Sequence, residues 1–331
     1  MEDKIVLSHG SGFKATRQLI EDIIKKHLNN PLLEPLGDSA FIKIPYQDLA
    51  FTTDSFVVSP LFFRGSDIGK LSVYGTVNDL AVSGAKPLYL SLGFIIEEGL
   101  SLRDFERIII SIKEAKDFCG VEVACGDLKV VPQGKADKIF INTSGIGQVK
   151  KRVSLKDIRP ADALIVNGFL GDHEIAVLLS REEFGIQAEV SSDCAPLWRA
   201  IERILKECQG VRFMRDLTRG GLGVCLNELV APDWGFILEE EHLPVREEVR
   251  SICELLGFDF LYLANEGKFL LIISSQEKEK ALRLLKEEGF KESACIGQVS
   301  SQYPGKVVLK TSIGGKRLVD YPHTGQLPRI C

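Results

Sequence analysis

Two blocks of alternating strand-like and helix-like patterns, separated by a charged stretch that a proline closes, set the limits on what this chain can fold into. Residues 150–160 (Lys-Lys-Arg-Val-Ser-Leu-Lys-Asp-Ile-Arg-Pro) are polar and weakly periodic, as a link between domains is. Before it, Leu19, Ile20, Ile23, Ile24 and Leu28 recur at helical spacing within 14–29 and stop ahead of Pro31, which predicts an amphipathic opening helix. Strands are predicted at 40–44 and 49–53, a helix at 67–83, a strand at 87–96, a helix at 102–118, and strands at 121–125 and 138–146. Beyond the link, strands are predicted at 163–167, 236–238, 269–274 and 294–299, and helices at 173–184, 195–208, 221–230, 246–256 and 277–288. Elements mixed in this order mean an α+β or α/β protein of two domains. From Thr311 onward, with Gly314, Gly315, Pro322, Gly325 and Pro328, no packed element is predicted and the chain runs into a tail.

Composition narrows the function classes. At 331 residues, 45% hydrophobic and 26% charged, the chain suits two ordinary globular domains rather than disorder or a coiled coil. Apolar stretches such as 88–96 fall well short of the ~20 residues that cross a bilayer, and the first residues lack the marks of a signal peptide, so a cytoplasmic protein is expected. A net charge of -5 is too mild to gather a polyanion, which argues against nucleic acid. The eight cysteines contain no Cys-x-x-Cys, giving little support to zinc or disulfides. Cys119, Cys125, Cys194, Cys208, Cys225, Cys253 and Cys295 are expected to be buried small apolar residues. Cys331 stands apart in the tail.

Four aspartates flanked by small residues lie in the first block: Asp38, Asp54, Asp79 and Asp127. Clustered carboxylates without His or Cys suit a hard cation with oxygen ligands, and magnesium on nucleotide phosphates is the natural candidate. Aspartates also cap strands and turns without binding anything. No conventional phosphate loop and no G-x-G-x-x-G is present. Three glycine turns, His9-Gly10-Ser11-Gly12, Gly168 to His173, and Arg215 to Gly221, could offer backbone N–H groups to phosphate, or could serve structure alone. His9 and His173 in these turns are either catalysts or loop hydrogen-bonders. Glu266, on the tight turn Asn265-Glu266-Gly267-Lys268, is either a general base or part of a solvated turn. The Cys331 thiol is expected to be a poor nucleophile beside a carboxylate, yet the twelve residues from Asp320 could carry it on the order of 40 Å.

Together, the stretches Leu7 to Gly12, Thr53 to Val58, Gly75 to Ala81, Phe94 to Gly99, Gly126 to Val131, Gly171 to His173, Ser192 to Cys194, Arg215 to Gly221, Ala264 to Lys268 and Pro328-Arg329-Ile330-Cys331 resemble the HypE family of hydrogenase maturation proteins. That family sits in the superfamily of aminoimidazole ribonucleotide synthetase, selenophosphate synthetase and thiamine monophosphate kinase, and the Pro-Arg-Ile-Cys ending is its specific mark. The resemblance implies an α+β fold of two domains whose first-domain strands form a barrel shared in a homodimer. Its divisions here are an N-terminal segment and helix at 1–34, an ATP- and metal-binding domain at 35–150, a second α+β domain at 151–310, and a flexible tail at 311–331.

It further implies that a partner carbamoyltransferase, HypF, loads a carbamoyl group on the Cys331 sulfur and that ATP drives its dehydration to a thiocyanate. That group is the cyanide source for nickel-iron hydrogenase, passed on through a HypC–HypD iron scaffold. Glu266 is implied as base, aided by Lys129. Gly10, Ser11, Gly12, Lys14, Thr76, Asn78, Arg219 and Gly220 would bind the nucleotide, and Asp38, Asp54, Asp79 and Asp127 would hold magnesium; whether potassium joins it stays open. The chain departs from the family pattern at Phe13, Leu128 and Glu174, where Gly, Thr and Gly are expected, and near Arg64 and Leu217, where Pro is expected. Two other readings stay open: a related ATP-dependent enzyme with another product, and a non-catalytic scaffold carrying a group on Cys331.

Overall fold

A computed structural model describes the chain except residues 1–3, 11–13, 35–41, 43–47, 183–184, 323–325 and 328, and the side chain of Lys14. The expected site residues Ser11, Gly12 and Asp38, and all of the expected strand at 40–44 except Ile42, lie outside the described residues.

The opening helix forms as α1 (Lys14–Leu19), a π-helical segment (Ile20–Lys25) and α2 (Lys26–Leu28). The first domain continues with β1 (Leu49–Phe56), the short β2 (Phe62–Phe63) and β3 (Ser66–Asp67), α3 (Ile68–Val82), β4 (Ala85–Glu97), α4 (Leu102–Cys119), β5 (Glu122–Val131) and β6 (Ile139–Val149). Its main sheet has the order β1-β6-β4-β5, with β4 and β5 parallel and the other pairs antiparallel. Asp67 caps α3 by accepting the N–H groups of Gly69 (2.7 Å) and Lys70 (3.1 Å). α3 is buried almost all round, because it lies between this sheet and the second domain, with Ala81 and Val82 in the second domain's core. On the opposite face of the sheet, which no described helix covers, Leu49, Phe51 and Ile95 are 44%, 70% and 47% exposed.

The second domain comprises β7 (Ala163–Val166), α5 (Asp172–Arg181), α6 (Trp198–Glu207), β8 (Val211–Asp216), α7 (Gly221–Leu229), β9 (Gly235–Glu239), α8 (Glu247–Leu256), β10 (Phe269–Ile273), α9 (Lys278–Glu287), β11 (Ala294–Ser300), β12 (Val307–Lys310) and β13 (Lys316–Leu318). Seven strands run in the order β13-β12-β9-β11-β7-β10-β8. Alternation along β10 sends Leu270 and Ile272 into one core and Phe269, Leu271 and Ile273 into another, so helices cover both faces.

Several expectations change. Asp127 is inside β5 and Asp54 inside β1, so these strands run past their expected ends at 125 and 53, while Asp79 is on α3, within the helix expected at 67–83. β2, β3, β8, β12 and β13 are additions, β13 lying within the predicted tail. Cys208, Cys225 and Cys253 are buried as expected, Cys119, Cys194 and Cys295 are half-buried, and Cys125 is exposed because β5 turns it to the uncovered sheet face. The end of the tail lies inward: Ile330 is buried in the first domain's core and Cys331 packs against it.

Candidate active site

The tail returns to the link that follows β1. The N–H of Val57 donates to the carbonyl of Cys331 (3.1 Å) and that of Ser59 to the carbonyl of Arg329 (3.2 Å), so residues 329–331 run antiparallel to 57–59. Arg181, in the last turn of α5, donates to the carbonyls of Ser59 and Arg329, each at 2.9 Å. Arg329 pairs with Asp137, and His173 bonds the carbonyl of Ile330. These contacts leave the Cys331 thiol half-buried and within electrostatic reach of Glu266, Arg219, Asp54 and Glu174. Burial first, then the Glu266 charge, push that thiol far up, against the pull of Arg219.

Glu266 is buried on the loop between Ala264 and Phe269. Its N–H donates to Asp193 (3.0 Å), its carbonyl accepts the amide of Asn78 (3.1 Å), and its Oε1 has no hydrogen-bond partner among the described residues. Gly267 is required here, since a Cβ would stand 2.0 Å from the carbonyl oxygen of Asp193. Burial, and then the charges of Asp193, Asp54, Asp216 and Asp79, raise the Glu266 carboxyl well above the usual carboxylate range. For Asp193, burial acts to raise the pKa, but Lys268 at 2.8 Å, His173 and the Glu266 N–H prevail and it ends lowered. A buried carboxyl with a raised pKa and a free oxygen is what a proton acceptor needs.

Beside it stand Asp54, Asp79 and Asp216. Gly75 lets β1 approach α3 closely, because a Cβ there would be 2.8 Å from the Phe56 ring, and this brings Asp54 over the helix that carries Asp79. Thr52 donates to Asp79 at 2.9 Å. Burial raises all three carboxyls, repulsion from neighbouring carboxylates adds to it at Asp79 and Asp216, and Arg215 and Arg219 oppose it. Such a set of hard oxygen donors in mutual repulsion fits a divalent cation such as magnesium. Among the described residues, however, no three His, Cys, Asp or Glu side chains are grouped closely enough to hold a metal ion.

Asp127 does not join Asp54 and Asp79 within one chain, and Asp38 lies outside the described residues. Strand register puts Asp54 in a row with Thr143, Leu92 and Gly126 on the covered face of the sheet, whereas Asp127 is in a row with Gly93, Asn142 and Ser55 on the uncovered face. Lys129 shares that face and pairs with Asp127 at 2.9 Å, away from the thiol. Thr76 and Asn78 are buried: Thr76 bonds Thr143, and Asn78 ties α3 to the Glu266 loop and to 195–197, so neither lines open space. Gly10 lines a largely apolar cavity of about 420 Å³ under the opening helix. His9 accepts the N–H of Val6, a loop hydrogen bond. Arg219 and Gly220 precede α7, with Arg219 near both Asp54 and the thiol. Asp193, Asp216, Arg215 and Glu174 belong to the cluster and were missed as site residues. The stretches Ser192 to Cys194 and Arg215 to Gly221 held a signal for three of them.

The chain matches AIR synthase related protein, N-terminal domain, over residues 36–149 and AIR synthase related protein, C-terminal domain, over 159–310. The carbamoyl dehydratase HypE of Rhodobacter capsulatus is 41% identical over 336 residues, spanning 100% of this chain and 99% of that protein. The crystal structure of hydrogenase maturation protein HypE in complex with ATP superposes at a TM-score of 0.94 and 42% identity, over 98% of this chain and 99% of that one. A HypE–HypF complex contains a chain that superposes at 0.79 and 41% identity, over 92% and 99%. With both domains matched and identity sustained along the whole length, this chain belongs to the HypE family of carbamoyl dehydratases, among the AIR synthase related proteins.

Proposed function

We propose that the chain dehydrates an S-carboxamide on its own Cys331 to a thiocyanate at the expense of ATP, as a step in hydrogenase maturation. The observation that carries this reading is the inward tail, which sets the Cys331 thiol among Glu266, Arg219 and Asp54. An amide oxygen is a poor leaving group. In the proposed step the carboxamide oxygen attacks the γ-phosphorus, ADP leaves and one N–H proton passes to solvent, and the S–C(=NH)–O–phosphate so formed loses its remaining N–H proton to Glu266 as the C–O bond breaks. Phosphate departs with the oxygen, and sulfur retains C≡N. Arg219 balances charge on the transferring phosphoryl group. Magnesium would be held by Asp54 and Asp79, with Asp216 behind them, and would supply charge neutralisation on the nucleotide phosphates.

Loading needs the tail outside. A HypF-type carbamoyltransferase is the proposed donor, supported by the HypE–HypF complex of relatives, and a HypC–HypD scaffold the proposed acceptor. The uncovered sheet face with Leu49, Phe51 and Ile95 supports a homodimer joined through that face, which would turn Asp127 and Lys129 toward the second copy. No described helix is long and apolar enough to cross a membrane.

The test supplies carbamoyltransferase, carbamoyl phosphate and ATP and follows the tail peptide by mass spectrometry. Carbamoylation of Cys331 followed by ATP-dependent loss of one water is expected. A carboxamide that persists with ATP present rejects the reaction.

A further inference from the structure

His173 and Glu174 are consecutive residues in the first turn of α5, and each holds one of two segments that must meet. The imidazole of His173 is fully buried, with Nε2 3.0 Å from the carbonyl oxygen of Ile330 and Nδ1 2.8 Å from Oγ of Ser192. A carbonyl only accepts, so Nε2 carries the proton. Ser192 Oγ accepts the N–H of Cys194 at 3.1 Å and donates its own hydrogen to Nδ1, which assigns the neutral tautomer from the network. Burial lowers the His173 pKa, in keeping with that form. The edge-to-face ring of Phe63, 5.4 Å between centroids, steadies the imidazole plane.

One residue on, Glu174 grips Ala264 at two points. Its N–H donates to the Ala264 carbonyl (3.3 Å), and its Oε2 accepts the Ala264 N–H (2.6 Å). Ala264 is two residues before Glu266, and Glu174 is only 2% exposed.

We propose that the first turn of α5 is a registration device, in which His173 fixes the tail by the carbonyl next to Cys331 while Glu174 fixes the loop that carries Glu266. One helical turn thereby sets the distance between the sulfur-borne group and its base. Both are positioning residues that act through the backbone of their neighbours. The inference rests on the proposed reaction for the part played by Glu174, but not for the holding of the tail by His173.

The experiment uses the full chain and the variants His173→Ala, His173→Gln, Glu174→Ala and Glu174→Gln. Iodoacetamide labelling of Cys331 is read by mass spectrometry, with the exposed Cys125 as internal reference, and near-UV circular dichroism checks folding. His173→Ala should label Cys331 roughly tenfold faster, the factor that one lost buried hydrogen bond gives in an opening equilibrium. His173→Gln, whose amide can still donate to Ile330, should restore protection. Glu174→Ala should change labelling far less than His173→Ala does but lower kcat for dehydration of the loaded tail with KM for ATP unaltered, and Glu174→Gln should recover it. Folded His173→Ala that labels like wild type overturns the role of His173, and wild-type kcat in Glu174→Ala overturns that of Glu174. A wild-type chain that leaves its loaded tail intact overturns the reaction and with it the role of Glu174, while labelling still decides that of His173.

Discussion

The side-chain amide of Asn78 lies 3.1 Å from the carbonyl oxygen of Glu266, and that bond joins helix α3 of the first domain to the second domain's Glu266 loop. The same amide donates to the carbonyl of Ala195 at 3.0 Å, and its oxygen accepts the N–H of Leu197 at 2.9 Å. Asn78→Ala would leave three backbone groups to find other partners. The expected loss is on the order of 3 kcal/mol, about 1 for each bond. Urea unfolding measures it, and a loss within experimental error of zero would show that the tie contributes nothing.

Glu266→Gln separates chemistry from stability. The amide keeps the shape of the side chain but cannot take the proton, so dehydration should fall by roughly 10²–10⁴-fold. Removing a carboxyl that Asp193, Asp54, Asp216 and Asp79 all oppose should leave the melting temperature equal or higher. Single-turnover mass spectrometry of the preloaded tail, alongside a thermal melt, checks both. Dehydration at the wild-type rate would remove Glu266 from the role of base.

Glu174 gives a pH dependence of stated sign. Burial raises its carboxyl to about 7, against the Ala264 N–H and Arg181, which favour the charged form. Between the ordinary carboxylate range and pH 7 the folded chain therefore binds more protons at this residue than the unfolded chain, so this contribution to stability is full at low pH and is lost as pH rises through 7. The span is on the order of 3 kcal/mol. Glu174→Gln should be more stable than wild type at pH 8, with the advantage vanishing by pH 5. Denaturant melts across that range test it, and a pH-independent difference would contradict the raised pKa.

Asp79→Asn should relieve repulsion while removing a charged ligand. Thr52 can still donate to the amide oxygen, so the ligand-free variant is expected to melt no lower than wild type. The rise in melting temperature that magnesium and ATP give together should shrink or vanish, since stabilisation by a ligand follows its affinity. Carbamoylation should proceed and dehydration stop. An undiminished shift with magnesium and ATP would move the metal away from Asp79.

The helices and most strands were legible because their apolar spacing follows burial. α4 keeps Phe105, Ile108, Ile109 and Ile112 on its core side, and β10 is an unbroken apolar run buried on both faces. Strands that interrupt this code were not. β8 sets Arg212, Arg215 and Asp216 among its apolar residues, and β13 is a three-residue edge strand exposed throughout. β5 runs on through Gly126 and Asp127, where a local reading ends it. In the site, motif residues such as Glu266 and Arg219 could be named from sequence, but their neighbours could not be told from capping or core residues. Asn78 reads like a binding residue and is a tie between domains. The tail was the least legible element, because what orders it comes from residues 57–59 and α5, far away in the chain.

The uncovered sheet face permits a test of assembly that leaves the cleft alone. Phe51 on β1 is opposite Ile146 on β6, which is opposite Tyr89 on β4, so an apolar row crosses three strands on the face that no described helix covers. Phe51 is 70% exposed, so a charge there meets water in the single chain and should cost the fold little. In a dimer joined face to face the same charge would be buried without a partner, at a cost of several kcal/mol. Phe51→Glu should therefore sediment as a single chain at concentrations where wild type is a dimer, with an unchanged circular dichroism spectrum. A variant that remains dimeric would place the interface on another surface, and a wild-type chain that is monomeric would leave the row of Phe51, Ile146 and Tyr89 to some other partner.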